Sequence, residues 1–315
     1  MATQTIAHQK QLAGKLKRER RPWGSILLFI APVIIYYAIF ILYPVFKTFF
    51  NAFHTIGPDP ARTGDLMATY VGLENFRTLL DDKIFGIAVK NTLIWGIVGP
   101  LVEMITAATL AFIVYFRVPF HRFYRTAWFS PLLVSGVIVG LVFRWIFNFD
   151  WGLVNVALRS IGLDEFALNW LGRRDTPLWV VIFVHYWSTF GYSFMLLLAG
   201  LTAISEEIID AARIDGASLV QTATRVMLPI LRPTFVTVLI LSFMGKMRAF
   251  NVVWVLTGGG PVYASETVAT YVQKRAFGWA TLDLGYPSAI ALVWFGVVLV
   301  GVALISRWLR TQMEY

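Results

Sequence analysis

The sequence predicts an all-α membrane protein with six transmembrane helices, both termini in the cytoplasm, and a short pair of cytoplasmic helices between the fourth and fifth. The first observation is composition: 57% of the 315 residues are hydrophobic and 14% are charged, whereas soluble domains carry about 25% charged residues. The second is a set of six long, almost uncharged stretches. The third is an uneven distribution of Lys and Arg around them. A chain of this kind is adapted to lipid.

Each predicted span is at least about 20 residues long, the length that an α-helix needs to cross the hydrocarbon core of a bilayer. The spans contain few charges: Glu103 in the second, Arg144 near the end of the third, and Lys246 and Arg248 in the fifth. Residues 1–22 are predicted to form a basic cytoplasmic tail that precedes a membrane domain. That domain covers residues 23–310, with spans at residues 23–46, 91–116, 126–149, 177–205, 233–256 and 286–306.

The positions of Lys and Arg predict the side of the membrane on which each loop lies, because cytoplasmic loops are enriched in these residues. With the N-terminus inside, the cytoplasmic segments hold 14 Lys and Arg, and the opposite segments hold nine. The opposite loops are also longer, so their density of basic residues is lower still. Both termini are therefore predicted to lie in the cytoplasm.

Several classes of function are disfavoured. The chain has no cysteine, which excludes disulfides, thiolate metal sites and a cysteine nucleophile. The net charge of +9 could suggest nucleic acid, but the chain has no basic stripe with interleaved aromatic residues, so no nucleic-acid partner is expected. No acid pair, nucleophile elbow or H-E-x-x-H motif is present. Neither a catalytic site nor a metal site is predicted, and His185 is expected to be a hydrogen-bonded packing residue.

The loop between the fourth and fifth spans, residues 203–233, has the clearest local signals. Ser205 is a suitable N-cap, and the two glutamates that follow it favour the positive end of a helix. Ile208, Ala211 and Ala212 then form one small apolar face. Gly216 is predicted to end this helix, because glycine adopts the positive φ of a sharp turn.

A second short helix is predicted after this turn, ending at two prolines. The residues of its apolar face are Leu219, Ala223, Val226 and Met227. The two helices would lie at the cytoplasmic face of the membrane and present small side chains, which allow another protein to approach closely. From these residues alone, a docking surface and an interfacial helix pair without a partner are equally good interpretations.

A motif in the same loop carries a resemblance to a known family. Residues 210–218 are DAARIDGAS and residues 226–229 are VMLP. This spacing resembles the EAA loop of binding-protein-dependent importer permeases, roughly EAA-x-x-DGA and then I-x-LP after about eight residues. Asp210 departs from the usual Glu, and Ala223 from the frequent Phe. The resemblance implies an ATPase-coupling loop, which we call the coupling loop, with contacts at Glu207, Asp210, Ala211, Ala212, Asp215, Gly216 and Ala217.

Further motifs resemble the carbohydrate branch of this family, the maltose- and glycerol-phosphate-type permeases. They occur at residues 91–93, 152–155, 198–201, 256–261 and 285–286. The resemblance implies a bacterial inner-membrane permease subunit, not an enzyme, that forms half of the translocation pathway for a sugar or sugar-like solute. It also implies a second homologous permease, an extracytoplasmic solute-binding protein, and two ATPase subunits that bind ATP and Mg²⁺, with no cofactor on this chain.

Polar and charged residues inside the spans are candidates for the solute pathway. A charge at the centre of a span costs about 2.5–3.5 kcal/mol on insertion scales, and such residues usually face a bundle interior or a water-filled cavity. The candidates are Glu103, Lys246, Arg248 and Asn251. Lys246 and Arg248 point about 200° apart on a helix, so one cavity faces at most one of them. Snorkelling, which Arg144 is well placed to do, or pairing with the second permease is the alternative explanation.

Two other classes of membrane protein can be compared with this interpretation. An ion-coupled secondary transporter would need buried acids for coupling and, typically, inverted repeats. Glu103 is the one acid inside a predicted span, and the two halves of the chain show no visible repeat. A membrane enzyme, such as a lipid-modifying transferase, would need clustered His, Asp and Glu at the interface, and the sequence contains no such cluster.

Overall fold

The computed structural model describes residues 23–58, 66–278 and 283–310. The predicted basic tail, residues 1–22, lies outside the described residues. Most of the described chain is helical, and five helices, or six if a bent pair counts as one span, are long and apolar enough to cross a membrane. The predicted class of helical membrane protein is therefore confirmed. The chain divides into two units, Met1–Phe50 and Asn51–Tyr315.

The described part of the first unit is one long helical segment. It contains α1 (Trp23–Tyr37), a π-helical turn (Ala38–Leu42) and α2 (Tyr43–Ala52), which ends in the second unit. The N–H of Tyr43 donates to the carbonyl of Ala38, and the next residue is a proline, which has no N–H to continue the α-helical pattern. The apolar side chains along this segment are exposed, as expected for a helix surrounded by lipid tails.

The second unit begins with a small hairpin that the sequence analysis did not predict. Strands β1 (His54–Pro58) and β2 (Leu66–Tyr70) pair antiparallel, with Ile56 opposite Ala68. Both strands contain β-branched residues, which favour extended backbone. After β2 the chain enters α3 (Glu74–Asp81). The strictly all-α class is therefore corrected by one two-stranded sheet.

The second span is longer than predicted. Helix α4 (Lys83–Tyr115) has 33 residues and begins eight residues before the predicted start at Asn91. The Asp82 carboxylate caps it by accepting hydrogen bonds from the N–H groups of Ile84 and Phe85 at 2.9 and 3.1 Å. A helix of this length is about 50 Å long and exceeds the hydrocarbon thickness of about 30 Å. The charged residues in the first turns of α4, which set the predicted start of the second span, can therefore lie outside the hydrocarbon core of the bilayer.

The third predicted span is broken, which corrects the expected continuous helix at residues 126–149. It consists of α5 (His121–Phe129), a 3₁₀ turn (Ser130–Leu133) and α6 (Gly136–Ile146), and the two helical parts are bent by 100°. Val134 and Ser135 between them have extended ψ angles of 131° and 137°. These residues follow the turn that contains Pro131, and the chain re-enters a helix only at Gly136.

A compact loop connects the third and fourth spans. It contains α7 (Leu153–Ser160) and leads to α8 (Pro177–Thr202), the fourth span. Asn155 is fully buried and organises this loop. Its amide donates to the carbonyls of Phe149 and Leu168 at 3.0 and 2.9 Å, and its oxygen accepts from Trp170 Nε1 at 2.7 Å. The asparagine of the predicted 152–155 motif is thus a structural hub.

The remaining elements run from the coupling loop to the last span. They are α9 (Glu206–Ile214), α10 (Leu219–Gln221), a π-helical turn (Thr222–Met227), α11 (Leu228–Ile230), α12 (Arg232–Met247), α13 (Asn251–Leu256), α14 (Val268–Gln273), a second π-helical turn (Lys274–Gly278) and α15 (Gly285–Arg310). The fifth span comprises α12 and α13 and is interrupted at residues 248–250. The sixth is α15.

Three apolar clusters form the core of the second unit. The first joins α4 and α8 to the coupling loop, the second joins α4, α6, α8 and α13, and the third joins α4, α12 and α15. Gly200 marks a close approach, because a Cβ there would lie 2.9 Å from Leu231 Cδ2. Helix α4 takes part in all three clusters and α8 in two, and both helices position the polar residues described below.

Candidate functional site

Both ends of helix α9 in the coupling loop are capped. At its start, the Ser205 hydroxyl accepts a hydrogen bond from the Glu207 N–H at 3.3 Å. At its end, Gly216 has a φ of +77°, and its N–H donates to the Arg213 carbonyl at 3.0 Å, while the Ala217 N–H donates to the Ala212 carbonyl at 3.0 Å. These two bonds form a Schellman motif, which fixes the direction in which the chain leaves the helix.

Helix α9 packs against the spans through a face that shares only Ala212 with the predicted apolar face, which was expected to present small side chains to another protein. Ile209 and Ala212 are buried, and Ile209 joins the apolar cluster of α4 and α8 together with Met227. Ile208 and Ala211 are exposed, so Ala212 is the one buried member of the predicted face. Ile208 fits the helical period with both alanines, but Ile209 and Ala212 are also three residues apart, and spacing alone does not distinguish the two faces.

The second part of the coupling loop also differs in form from the single helix predicted. It begins with a capping box, in which Ser218 Oγ accepts from the Gln221 N–H at 3.3 Å and Gln221 Oε1 accepts from the Ser218 N–H at 2.8 Å. The chain then widens into a π-helical turn before α11. Met227 is fully buried, whereas Leu219, predicted on the same face, is exposed.

Apolar side chains remain exposed on both sides of the turn between α9 and α10. Ile214 is 87% exposed and Val220 is 71% exposed. With Ile208 and Leu219 they form what we call the exposed apolar patch. The predicted coupling residues lie around it: Glu207, Asp210, Ala211, Asp215 and Gly216 are exposed, Ala217 is half-buried and Ala212 is buried. Asp210 forms an exposed ion pair with Arg213 at 3.0 Å.

A cavity of about 860 Å³ separates the coupling loop from the segment between α4 and α5. Its walls include Arg117 from that segment, Arg122 and Arg125 from the start of α5, and Glu206 and Arg213 from α9. Both segments are predicted to be cytoplasmic from their basic residues. The structure brings them together at one end of the bundle.

A buried polar cluster lies between α4, α8 and α12. The Glu103 carboxylate forms an ion pair with Lys246 and accepts hydrogen bonds from the hydroxyls of Ser193 and, at 3.0 Å, Ser242. Lys246 Nζ also donates to Ser242 Oγ at 2.8 Å. The absence of a Cβ at Gly99 allows this packing, because a Cβ there would lie 3.3 Å from Lys246 Cγ. Every polar group of the cluster therefore has a partner.

This cluster corrects the expectation that Lys246 and Glu103 face an open pathway. Both side chains are enclosed by the protein and neutralise each other within the chain. This arrangement also differs from the two alternatives given by the sequence, which were snorkelling and pairing with a second permease. Sequence reasoning did not identify Ser193 and Ser242. The available signal was a serine four residues before Lys246, on the same helix face.

The other two pathway candidates lie on a separate groove of about 360 Å³. Arg248 and Asn251 line it from the interruption of the fifth span, and Leu132 and Val134 line it from the break in the third span. His185, Ser188 and Thr189 of α8 complete the polar part of its wall. The sequence analysis did not assign Ser188 or Thr189 to any site, since single hydroxyls in an apolar helix also bond to their own backbone.

The other titratable groups inside the predicted spans have simpler environments. Arg144 is exposed in the last turn of α6. The His185 ring packs edge-on against Trp95 with a centroid distance of 4.9 Å and lies 3.4 Å from Thr189 Oγ1. Among the described residues, no group of three His, Asp or Glu side chains is arranged to hold a metal ion.

The end of the bundle opposite the coupling loop is tied together by Asp82. Its carboxylate caps α4 and accepts hydrogen bonds from the hydroxyls of Tyr271 and Tyr286. Burial raises the pKa of Asp82, but these hydrogen bonds, with those from the backbone N–H groups of α4, lower it more, so the pKa lies below its ordinary value of 3.8. Burial and the Asp82 carboxylate raise the pKa of Tyr271.

A second buried ion pair stabilises the loop after the fifth span. The fully buried Glu266 carboxylate pairs with Lys274 and accepts from Thr270 Oγ1 at 2.8 Å. Asn91, which opens one of the motifs in the sequence, donates to the Glu266 carbonyl at 3.0 Å. Gly259 has a φ of +84°, and a side chain there would collide with Glu266. The glycine-rich motif is therefore a tight turn over a buried carboxylate.

Comparison with known proteins shows which family this chain resembles. Residues 104–314 match the family described as "Binding-protein-dependent transport system inner membrane component". The chain is 32% identical over 291 residues to the probable ABC transporter permease protein YurN of Bacillus subtilis, covering 91% of this chain and 96% of that protein. It is 30% identical to the trehalose/maltose transport system permease protein MalF of Thermococcus litoralis, covering 91% and 94%.

The fold is also found in a solved structure. A chain in the crystal structure of a bacterial alginate ABC transporter, in complex with an alginate pentasaccharide-bound periplasmic protein, superposes with a TM-score of 0.81 at 22% identity. The superposition covers 95% of this chain and 99% of that chain.

The family consists of transport permeases, which favours neither the ion-coupled carrier nor the membrane enzyme. The chain belongs to the binding-protein-dependent transport system inner membrane component family and is an inner-membrane permease of an ABC importer.

Proposed function

We propose that this chain forms one half of the translocation pathway for a sugar or sugar-like solute, and that a second homologous permease forms the other half. Two ATPases supply the energy, and ATP and Mg²⁺ bind to them and not to this chain. Support for a sugar comes from the trehalose/maltose permease, which is similar over 91% of this chain. An extracytoplasmic protein delivers the solute, as the name of the family indicates.

The observation that carries the coupling part of this proposal is the exposed apolar patch. Ile214 and Val220 are among its most exposed side chains, although they belong to a loop whose other face is held firmly by Ile209 and Met227 in the core. Large apolar side chains that stay exposed on an otherwise anchored loop suit a protein interface. An ATPase that covers this patch would push on α8 and α12 through those buried contacts.

The solute pathway is proposed at the groove that contains Arg248 and Asn251. Two interrupted spans meet there, and irregular backbone at membrane depth is tolerated where it is buried in protein or lines a water-filled cavity. Phe250 also lines the groove and stacks on Trp254 with a centroid distance of 5.2 Å. Amide and hydroxyl groups next to an aromatic ring suit a polyhydroxylated solute.

The proposal is tested by reconstituting the chain with the second permease, ATPase and binding protein encoded beside it. We expect ATP-dependent uptake of at least one radiolabelled saccharide into liposomes. The test variant replaces both Ile214 and Val220 with Ser. It should lose ATPase co-purification and uptake, while its membrane insertion stays normal. If this variant retains the ATPase, docking at the exposed apolar patch is contradicted. If transport by the importer does not depend on a saccharide, the proposed class of solute is contradicted.

A further inference from the structure

The break in the fifth span separates two cations with opposite environments. Lys246 is enclosed and neutralised by Glu103, whereas Arg248, two residues later, is exposed on the groove. Among the described residues Arg248 has no ion pair or hydrogen bond through its side chain. Two residues apart on a helix, the two side chains point about 200° away from each other, and the helix ends at Met247, with Arg248 as its C-cap. The chain therefore neutralises one cation internally and presents the other to the groove.

No carboxylate offsets Arg248 within the groove. The described residues that line it are apolar or neutral, apart from Arg248 and the titratable ring of His185. A guanidinium stays protonated at any physiological pH. The groove therefore has a fixed positive charge, with Asn251, Ser188 and Thr189 as neutral hydrogen-bonding groups around it.

The groove lies near the middle of α8, a helix long and apolar enough to cross a membrane. His185 and Ser188 are about 12 and 16 Å along α8 from its first residue, at 1.5 Å per residue. Gly136, at the restart of the broken third span, is in contact with the fifth span, because a Cβ there would lie 3.7 Å from Asn251 Cβ. The two breaks thus face each other across the same space. A charge at this depth needs water or a counter-ion.

We propose that the counter-ion is the transported solute itself, and that this importer carries an acidic saccharide whose carboxylate, sulfonate or phosphate group binds Arg248. This inference rests on the proposed sugar-import function and narrows its substrate class. The planar guanidinium binds such groups through two parallel hydrogen bonds. The hydroxyl and amide groups beside it would bind the sugar hydroxyls, while Phe250 offers an apolar face.

The test uses the complete reconstituted importer with its binding protein and three matched pairs of radiolabelled probes. Within each pair the two sugars differ in one acidic group: galactose and galacturonate, glucose and glucose 6-phosphate, quinovose and sulfoquinovose. The variants are Arg248→Gln and Arg248→Lys. Arg144→Gln serves as the matched control, because Arg144 is an exposed arginine at the end of α6, away from the groove.

We expect uptake of an acidic probe by the wild type, a loss of roughly tenfold or more in Arg248→Gln, partial retention in Arg248→Lys, and no change in Arg144→Gln. Uptake of neutral probes alone would overturn the inference and leave the sugar-import proposal intact. Equal uptake of the acidic probe by Arg248→Gln and Arg144→Gln would also overturn it. If Arg248→Gln lowers the yield of the assembled complex, Arg248 pairs with the second permease and the inference is wrong. Uptake of none of the six probes would contradict sugar import itself.

Discussion

Glu103 of α4 and Lys246 of α12 form an ion pair inside the bundle in which the side chains are 2% and 3% exposed. They are 143 residues apart in the chain. Ser193 of α8 donates to the same carboxylate, so one buried acid connects three spans. Loss of either charge leaves the other without compensation in a low-dielectric environment, which is why such pairs are costly to break and less costly to remove together.

We therefore expect Glu103→Gln and Lys246→Met to lower the free energy of unfolding by about 3–5 kcal/mol each. The double variant should lose less than either single variant, because no unpaired charge remains. Unfolding in mixed detergent micelles measures these differences, with Arg144→Met as an exposed control that changes little. A double variant whose loss equals the sum of the two single losses would show that the pair does not interact.

Gly216→Asp is expected to reduce ATPase co-purification on the order of tenfold or more and to abolish transport. The residue has a φ of +77°, and a Cβ there meets no atom of this chain within 4 Å. The side chain would therefore point from a strained backbone towards the docked partner. The matched control is Gly162→Asp, since Gly162 also has a φ of +77° and open space around it but lies in the loop between the third and fourth spans. If both variants lose the ATPase equally, strain alone explains the result.

Two neighbouring alanines should separate folding of the coupling loop from docking. Ala212→Asp places an unpaired carboxylate in a buried position at a cost of several kcal/mol, so we expect local unfolding of the loop and its rapid proteolysis. Ala211→Asp, at an exposed position, should leave protease resistance unchanged and weaken ATPase binding. Limited proteolysis and co-purification measure the two effects. Equal protease resistance of both variants would contradict the burial of α9 through Ala212.

Single-cysteine labelling tests the predicted topology, because the chain has no native cysteine. We expect Asp65→Cys and Asp164→Cys to react with an impermeant maleimide in cells with a permeabilised outer membrane. Thr224→Cys in the coupling loop should react only after the inner membrane is opened. Position 65 lies outside the described residues, so this part of the prediction comes from the sequence alone. Reversed labelling would place the coupling loop on the wrong side for an ATPase.

Asp82→Asn is expected to lower the free energy of unfolding by about 1–2 kcal/mol, because a neutral amide accepts weaker hydrogen bonds from Tyr271 and Tyr286 than the carboxylate does. The pKa of Asp82 is below 3.8 in the folded protein, so its contribution is complete above that pH and is lost as the pH falls through the folded pKa. The variant should therefore lose less stability on acidification than the wild type. Asp175→Asn is the control: Asp175 also has a lowered pKa, through its hydrogen bond from Arg173, but it is exposed. An equal acid response of the Asp82 variant and the wild type would contradict this assignment.

Hydropathy predicted where the long apolar helices lie because lipid leaves an α-helix few alternatives. It could not predict that the third span breaks, since Val134 and Ser135 are uncharged and pass any composition test. The start of α4 was missed for the opposite reason. Lys90 interrupts the uncharged run directly before Asn91, but the capped helix continues beyond the hydrocarbon.

Some features of the candidate site were predicted from the sequence and others were not. Ser205 and Gly216 were identified correctly as helix ends because capping depends on local sequence. The buried face of α9 depends on what the helix packs against, and two adjacent isoleucines gave two possible faces. The roles of Glu103 and Lys246 depend on a contact between distant segments, which no local pattern contains.

The bent third span also determines how many times the second unit passes from one end of the bundle to the other. The segment between α4 and α5 shares a cavity with the coupling loop, which follows the far end of α8. Residues 121–176 must therefore return the chain to the opposite end before α8 begins. With the bent pair counted as one pass in spite of its 100° angle, the chain from α4 to α15 makes an odd number of passes. An insertion that straightened this bend would keep that parity, whereas a deletion of α6 would invert every helix after it.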